Sequence, residues 1–346
     1  MLKKSFSFYV SEFSGSLGDL PLFFIFFVGL TQFSNLNPIN ILFWSGLAHI
    51  IVGFVFKVPL PYQPMKGMGL VAIAQGVSEA ELLSAGVLIG LTILIFNALG
   101  IFKKLYTFFP EAVIRGIQLG LAFMLLAKAH ELTLGAHLAI LPIVSLVCIV
   151  VLILRFKKYH TLWVLGIFGI SLIYMFWEGL LNEPSLSFSG GFFKWHTLTC
   201  SETVLSLVLI QLPLTTANSI FSPALLLQDM FPEKKIKAST IATSVGAINL
   251  LTCLFGGMPA CHGAGGLAAQ YRCGARSGLS VIMLGIIKLL SAVFLGGLFL
   301  QVAQNFPRPL LALLFIFPMG CQIKLYIFQS LHIMSTAQFV MLVHLT

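Results

Sequence analysis

The chain has 346 residues, 58% of them hydrophobic and only 9% charged, with a mean hydropathy of +1.00. Soluble domains carry about 25% charged residues, so there is too little charge here to coat a water-facing surface. The excess of 20 Lys and Arg over 11 Asp and Glu lies in short clusters between apolar runs rather than on one aromatic-laced face, which argues against nucleic-acid binding and for loops beside a bilayer.

In chain order, about twelve spans are expected: 17–33, 39–56, a short third at 58–76, 80–101, 111–128, 137–154, 161–181, 203–231 broken by Pro213 and Pro223, 239–257, a short tenth at 258–271, 279–300 and 307–328. Most are long enough to cross a bilayer core. With Lys3 and Lys4 in the cytoplasm, the clusters at Lys57, Lys103–Lys104, Arg155–Lys158, Lys234–Lys237 and Arg272–Arg276 all fall on that same side. The opening runs straight into a full span, so no cleavable signal is expected, and the absence of a transit-like stretch points to a plasma (inner) membrane. The cysteines at 148, 200, 253, 261, 273 and 321 show no disulfide or zinc spacing, and no cofactor is expected.

Three proline-centred matches recur at nearly constant offset: Pro21 with Pro213, Pro64 with Pro259, and Pro110 with Pro307. They predict a duplication, with residues 1–181 as a first unit of about seven spans. Residues 182–202 form a non-cytoplasmic connecting loop, and 203–346 a second, incomplete unit. Seven is odd, so the second unit enters from the opposite side. The expected fold is an all-α polytopic membrane protein with the inverted repeat common among secondary transporters. From about residue 318 the tail is too polar for a span and reads as truncated or frame-altered.

The segment Pro59-Leu60-Pro61-Tyr62-Gln63-Pro64 cannot be a continuous helix, because each proline lacks an N–H and restricts the residue before it. A half-helix is expected to start near Met65. Its repeat mate, Met258-Pro259-Ala260-Cys261-His262-Gly263-Ala264-Gly265-Gly266, again leads from an extended stretch into a short helix. Paired interrupted spans are the sequence pointer to a transporter's substrate site. A helix start leaves N–H groups unpaired and carries partial positive charge, so two facing starts suit an anion. Candidate binding residues are Gln63, Lys66, His262, Gly263 and Gly265. Against this stand a snorkelling lysine and a packed, hydrogen-bonded histidine. Gln211, Thr215 and Asn218 form a stripe of uncharged donors at i, i+4 and i+7 that suits an oxyanion, or else glues helices together. Asp19, at the expected start of span one, either carries a coupling proton, pairs with Lys66 or caps the helix. Glu111 with Arg115 reads as an i,i+4 ion pair, and Gly116 with Gly120 as a close-packing face.

The stretch from Met258 to Gly278, together with Pro61–Gly67, Phe109–Gly120, Gln211–Ser219 and Phe231–Lys235, resembles the molybdate transporter family, related to the SulP sulfate permeases. The resemblance implies uptake of molybdate, or of sulfate or tungstate, by a seven-plus-seven fold with substrate held between spans three and ten. Two terminal helices of that fold are expected to be missing, and a homodimer is a further option. A nucleobase permease of the same fold would place a carboxylate in span eight or ten, where this chain has Gln211, Asn218 and His262. A passive anion channel is the other alternative. Cys261 and His262 do not form a nucleophile–base pair, since helical neighbours point about 100° apart. The chain is not expected to be an enzyme.

Overall fold

A computed structural model describes residues 6–102, 111–133, 162–181, 192–193 and 195–314. The helices are α1 (Phe6–Ser16), α2 (Leu20–Ser34), α3 (Pro38–Phe56), α4 (Lys66–Gln75), α5 (Glu79–Ala98), α6 (Glu111–Thr133), α7 (Leu162–Trp177), α8 (Glu202–Thr215), α9 (Ser222–Met230), α10 (Ala238–Cys253), α11 (Ala264–Arg272), α12 (Leu279–Phe294) and α13 (Gly296–Asn305). Two short strands, β1 (Gln63–Pro64) and β2 (Ala260–Cys261), interrupt them. The expected span at 137–154 and the tail after residue 314 lie outside the described residues.

The bundle exposes large apolar side chains that a water-soluble protein would bury. Its outer face carries Phe54, Val55, Ile95, Leu205, Leu209, Leu225, Leu251 and Leu290, all exposed. Its centre buries Asp19, His49, Gln63, Gln211, Asn249, His262, Gln270 and Lys288. An apolar outer face, with the ionisable side chains kept inside an otherwise apolar core, is the arrangement that a lipid solvent favours. Phe6–Ser34, Pro38–Phe56, Glu79–Ala98 and Glu202–Met230 are each long and apolar enough to cross a membrane. Among the described residues, the α12–α13 pair, bent by 93°, is long and apolar enough only when its two helices are taken together, as a broken span or a re-entrant loop. This is an integral membrane protein.

Two helix pairs pack closely, α3 on α12 and α5 on α10, and glycine makes both approaches possible. A Cβ added at Gly46 would lie 2.8 Å from the Gly285 carbonyl oxygen, and one at Gly90 would lie 2.9 Å from that of Gly246. Those contacts leave no room for a side chain. Gly116 and Gly120 on α6, expected to provide such a face, instead have open space beside them among the described residues. Small-xxx-small spacing permits close packing but does not supply the partner helix. The Glu111 and Arg115 side chains lie outside the described set.

Helix starts follow local chemistry. Asn37 caps α3, its side chain accepting from the Ile39 amide at 2.9 Å, and Pro38 occupies the first turn. Ser78 and Glu81 form a capping box at α5. The first helix corrects the sequence expectation. It begins at Phe6 and runs through a 3-10 turn at Leu17–Asp19 to Ser34. Asp19 therefore sits part-way along the helical run rather than at its entrance, and its side chain makes no cap bond.

Candidate functional site

The two proline-interrupted segments meet. Strands β1 and β2 pair antiparallel, with Gln63 opposite Cys261 and Pro64 opposite Ala260. Proline cannot donate to this ladder, and side chains supply much of what the backbone lacks. The Met65 amide donates to the Pro259 carbonyl at 2.9 Å. Asn249 on α10 donates from Nδ2 to the Ala260 carbonyl at 2.6 Å and accepts from the Ala260 amide at 2.9 Å, acting as a third strand edge. The Tyr62 hydroxyl donates to the Met258 carbonyl at 3.2 Å.

His262 is fully buried, with Nδ1 2.7 Å from the Pro61 carbonyl oxygen and Nε2 2.8 Å from the Ser244 hydroxyl. Both ring nitrogens are therefore engaged within the protein, the packed alternative raised above, and the ring ties the second half to the first. His262→Ala should leave the buried Pro61 carbonyl without its partner, at a cost of about 1–3 kcal/mol. A clear fall in the melting temperature of the detergent-solubilised protein is the expected readout. An unchanged melting temperature would show that the strut carries no stability.

Helix α4 starts at Lys66 with Met65 as its N-cap, and α11 starts at Ala264 with Gly263 as its N-cap. Neither cap residue bonds through its side chain. At α4 one of the free donors is taken from across the bundle: Gln211 Oε1 accepts from the Met68 amide at 3.1 Å, and Gln211 Nε2 donates to Thr215 at 2.9 Å. The amides of Lys66 and Gly67, and of Ala264 and Gly265, are first-turn donors of their helices with no intrahelical partner. Lys66 is partly buried, and a Cβ added at Gly265 would lie 4.0 Å from its Nζ. A lysine on one half-helix thus reaches the start of the other, where the ammonium and the helix dipole carry the same sign.

Gln63 lies between this region and Asp19. Its Nε2 donates to Asp19 Oδ1, and its amide fills the space that side chains at Gly263 and Gly266 would take. Asp19 also faces His49, with Oδ2 3.5 Å from Nε2. Asp19 thus bonds Gln63 and faces His49, while Lys66, the partner that the sequence offered, acts on it as a nearby charge without a described hydrogen bond. The structure thus brings Gln63, Lys66, Gly263 and Gly265 together. Gln211 stands behind α4 and is bound to it, and Thr215 is bound to Gln211. Asn218 lies on a π-helical segment, Thr216–Phe221, whose wider turn takes it off the regular i, i+4, i+7 stripe.

His49, Asn249 and Lys288 were not singled out from the sequence. A signal for two of them was present, since an ionisable residue inside an apolar run, as in Leu47-Ala48-His49-Ile50 and Ile287-Lys288-Leu289, is costly in lipid and so functional by default. Asn249 carried none, because a lone amide in a span reads as ordinary helix glue.

Comparison with known proteins agrees with this architecture. Over 93% of the chain the fold matches the transmembrane domain of the cyanobacterial bicarbonate transporter BicA, covering 90% of that chain, with a TM-score of 0.67 at 16% identity. It also matches SLC26A9 over 92% of this chain and 58% of that one, with a TM-score of 0.60 at 13% identity. At the sequence level, the chain is 32% identical to Molybdate transporter 2 of Arabidopsis thaliana, covering 89% of this chain and 76% of the relative. It is 29% identical to Molybdate transporter 1 of the same plant, covering 89% and 78%, and 26% identical to Molybdate transporter 1 of Chlamydomonas reinhardtii, covering 88% and 81%. The profile described as "Molybdate transporter of MFS superfamily" matches residues 11–125 and 203–322. With the profile spanning more than half its length, this chain belongs to the molybdate transporter family.

Proposed function

We propose that the chain is a secondary active transporter of a doubly charged tetrahedral oxyanion, molybdate, held between the starts of α4 and α11. The observation that carries this reading is the β1–β2 pairing, which sets two helix N-termini beside each other with the Lys66 ammonium next to Gly265. Four first-turn amides and one ammonium form a cluster of donors and positive potential inside a bundle whose surroundings are apolar. An anion compensates that charge. Gly265, with only the Lys66 ammonium near its open side, allows the backbone to approach the ligand closely. Gln63 fills the space beside Gly263, and Gln211 fixes the orientation of α4 from behind.

We further infer that the chain is built from two inverted units, 1–181 and 203–346. The packing supports this. At the offset of the proline repeat, α3 corresponds to α10 and α5 to α12. Exchange of the two units then maps the glycine-mediated pair α3–α12 onto α10–α5. With an odd number of crossings in the first unit, this gives alternating access around a central site.

Uptake of radiolabelled molybdate into proteoliposomes tests the reading, with tungstate, sulfate and uracil as competitors. Tungstate and sulfate should compete and uracil should not. Competition by uracil but not by tungstate would replace the oxyanion with a nucleobase. Equal flux with and without an ion gradient, with no saturation, would make the protein a channel.

A further inference from the structure

The Asp19–His49 pair lies outside the oxyanion cradle and plays no part in the reading above. His49, on α3, is fully buried, and its Nδ1 lies 2.7 Å from the Ser45 carbonyl oxygen. A carbonyl only accepts, so Nδ1 carries a hydrogen. A neutral His49 then presents a bare lone pair at Nε2, the atom that faces Asp19 Oδ2 at 3.5 Å. An ionised carboxylate is also acceptor-only. Two lone pairs would therefore oppose each other in a dry interior, and neither atom has another hydrogen-bond partner. One proton, on either residue, turns the clash into a hydrogen bond.

We propose that Asp19 and His49 form a proton-binding dyad, coupled to the oxyanion cradle through Gln63, so that anion and proton are carried together. This rests on the oxyanion reading and adds the coupling ion to it. The link is short. Gln63 touches Asp19 on one side and the α11 start on the other, and a Cβ at Gly266 would lie 2.9 Å from Asp19 Oδ1. A dianion held at the α11 start lowers the cost of protonating a carboxylate one turn away. By reciprocity the proton then tightens anion binding by the same factor. The proton comes from solvent and neutralises one of the two charges on the anion while both are inside the membrane.

The groups around the dyad define what else acts on it. From α12, Lys288 reaches into the same interior, its Nζ 3.5 Å from the centre of the Phe23 ring and without a hydrogen-bond partner. Lys66, on α4, is the other cation near Asp19. The Tyr62 ring packs 5.5 Å from the His49 ring. Gln270 on α11 has both amide atoms unpaired, whereas His262 is bonded at both nitrogens. Cys261 lies in β2, its thiol accepting from Ser219 at 3.0 Å. Glu12 on α1 is spent on the Arg276 and Ser280 amides at the start of α12.

The test is calorimetry of molybdate binding to the intact, detergent-solubilised protein, in buffers of differing ionisation heat that count protons taken up per anion. For the wild type the count should approach one, and affinity should rise by up to about tenfold per unit fall in pH across the dyad's titration. Asp19→Asn places an amide donor against Nε2 and mimics the protonated dyad, so binding should be tight at every pH with no proton taken up. His49→Gln places a donor against Asp19 and holds it ionised, so binding should be weak at every pH. This opposed, pH-flat pair is not what a structural defect produces. A wild-type count of zero throughout about pH 5–8, or variants that keep the wild-type count, overturns the dyad while leaving the cradle intact. Absence of molybdate binding by the wild type at any pH overturns the cradle itself, and the dyad with it. Should either variant fail to fold, the wild-type proton count decides alone.

Discussion

Lys66→Met is expected to weaken molybdate binding by roughly ten- to hundredfold in Kd, the loss of about 1.5–3 kcal/mol for a hydrogen bond between charged groups. The substitution keeps the length and apolar stem of the side chain and removes only the ammonium beside Gly265. Helix α4 should persist, because Gln211 still holds the Met68 amide and Met65 still binds Pro259. Removing a positive charge from the start of a helix does not oppose its dipole. Folding should be unaffected or slightly improved while affinity falls, a combination that a packing residue would not give. Equilibrium binding together with a melting curve on the same sample separates the two effects. Wild-type affinity in a folded variant would take Lys66 out of the site.

Two adjacent glycines on α11 should behave in opposite ways. At Gly266 an added methyl would run into the buried Gln63 amide and lie 2.9 Å from Asp19. Overpacking of this kind costs about 1–3 kcal/mol, so Gly266→Ala is expected to lower the yield and melting temperature of folded protein. At Gly265 the nearest atom is Lys66 Nζ at 4.0 Å, and alanine is the better helix former. Gly265→Ala should therefore fold normally yet bind molybdate about tenfold more weakly, near 1.4 kcal/mol, because its methyl stands where the ligand meets the free amides. If Gly265→Ala binds normally and Gly266→Ala folds but cannot bind, the anion lies on the other face of the helix.

The sequence was most informative where covalent geometry leaves few options. Three prolines between Pro59 and Pro64 forced an extended approach, so the helix start expected near Met65 falls at Lys66. The mate at Pro259 behaved in the same way, with its helix starting at Ala264. What the chain could not disclose was partnership. Gln211 read as a ligand donor, but its role in capping α4 depends on a contact across 143 residues of sequence. Gly116 and Gly120 had the spacing for close packing and no described atom within 4 Å. Gly46 and Gly285 carried close approaches with no such spacing to mark them, and Gly90 did so within a Gly86-xxx-Gly90 spacing that was not singled out. Asp19 was misplaced for a different reason. The Ser- and Gly-containing stretch before Leu17 is less apolar than the run after it, so the hydrophobic onset was taken for the helix onset, although α1 continues the same rod.

The pairing of Gln63 with Cys261 carries a consequence for how the protein is made. The two residues lie roughly two hundred positions apart, and contacts that distant form late because a long loop must close first. While the ribosome is still short of residue 260, the proline-rich arm has been inserted with its ladder groups, its Met65 amide and its Pro61 carbonyl all lacking their later mates. A polypeptide stopped at that stage would hold most of its rods in the bilayer and have no place for cargo. Competence to carry should therefore switch on abruptly with chain length, as the α11 segment emerges, rather than grow with each added helix.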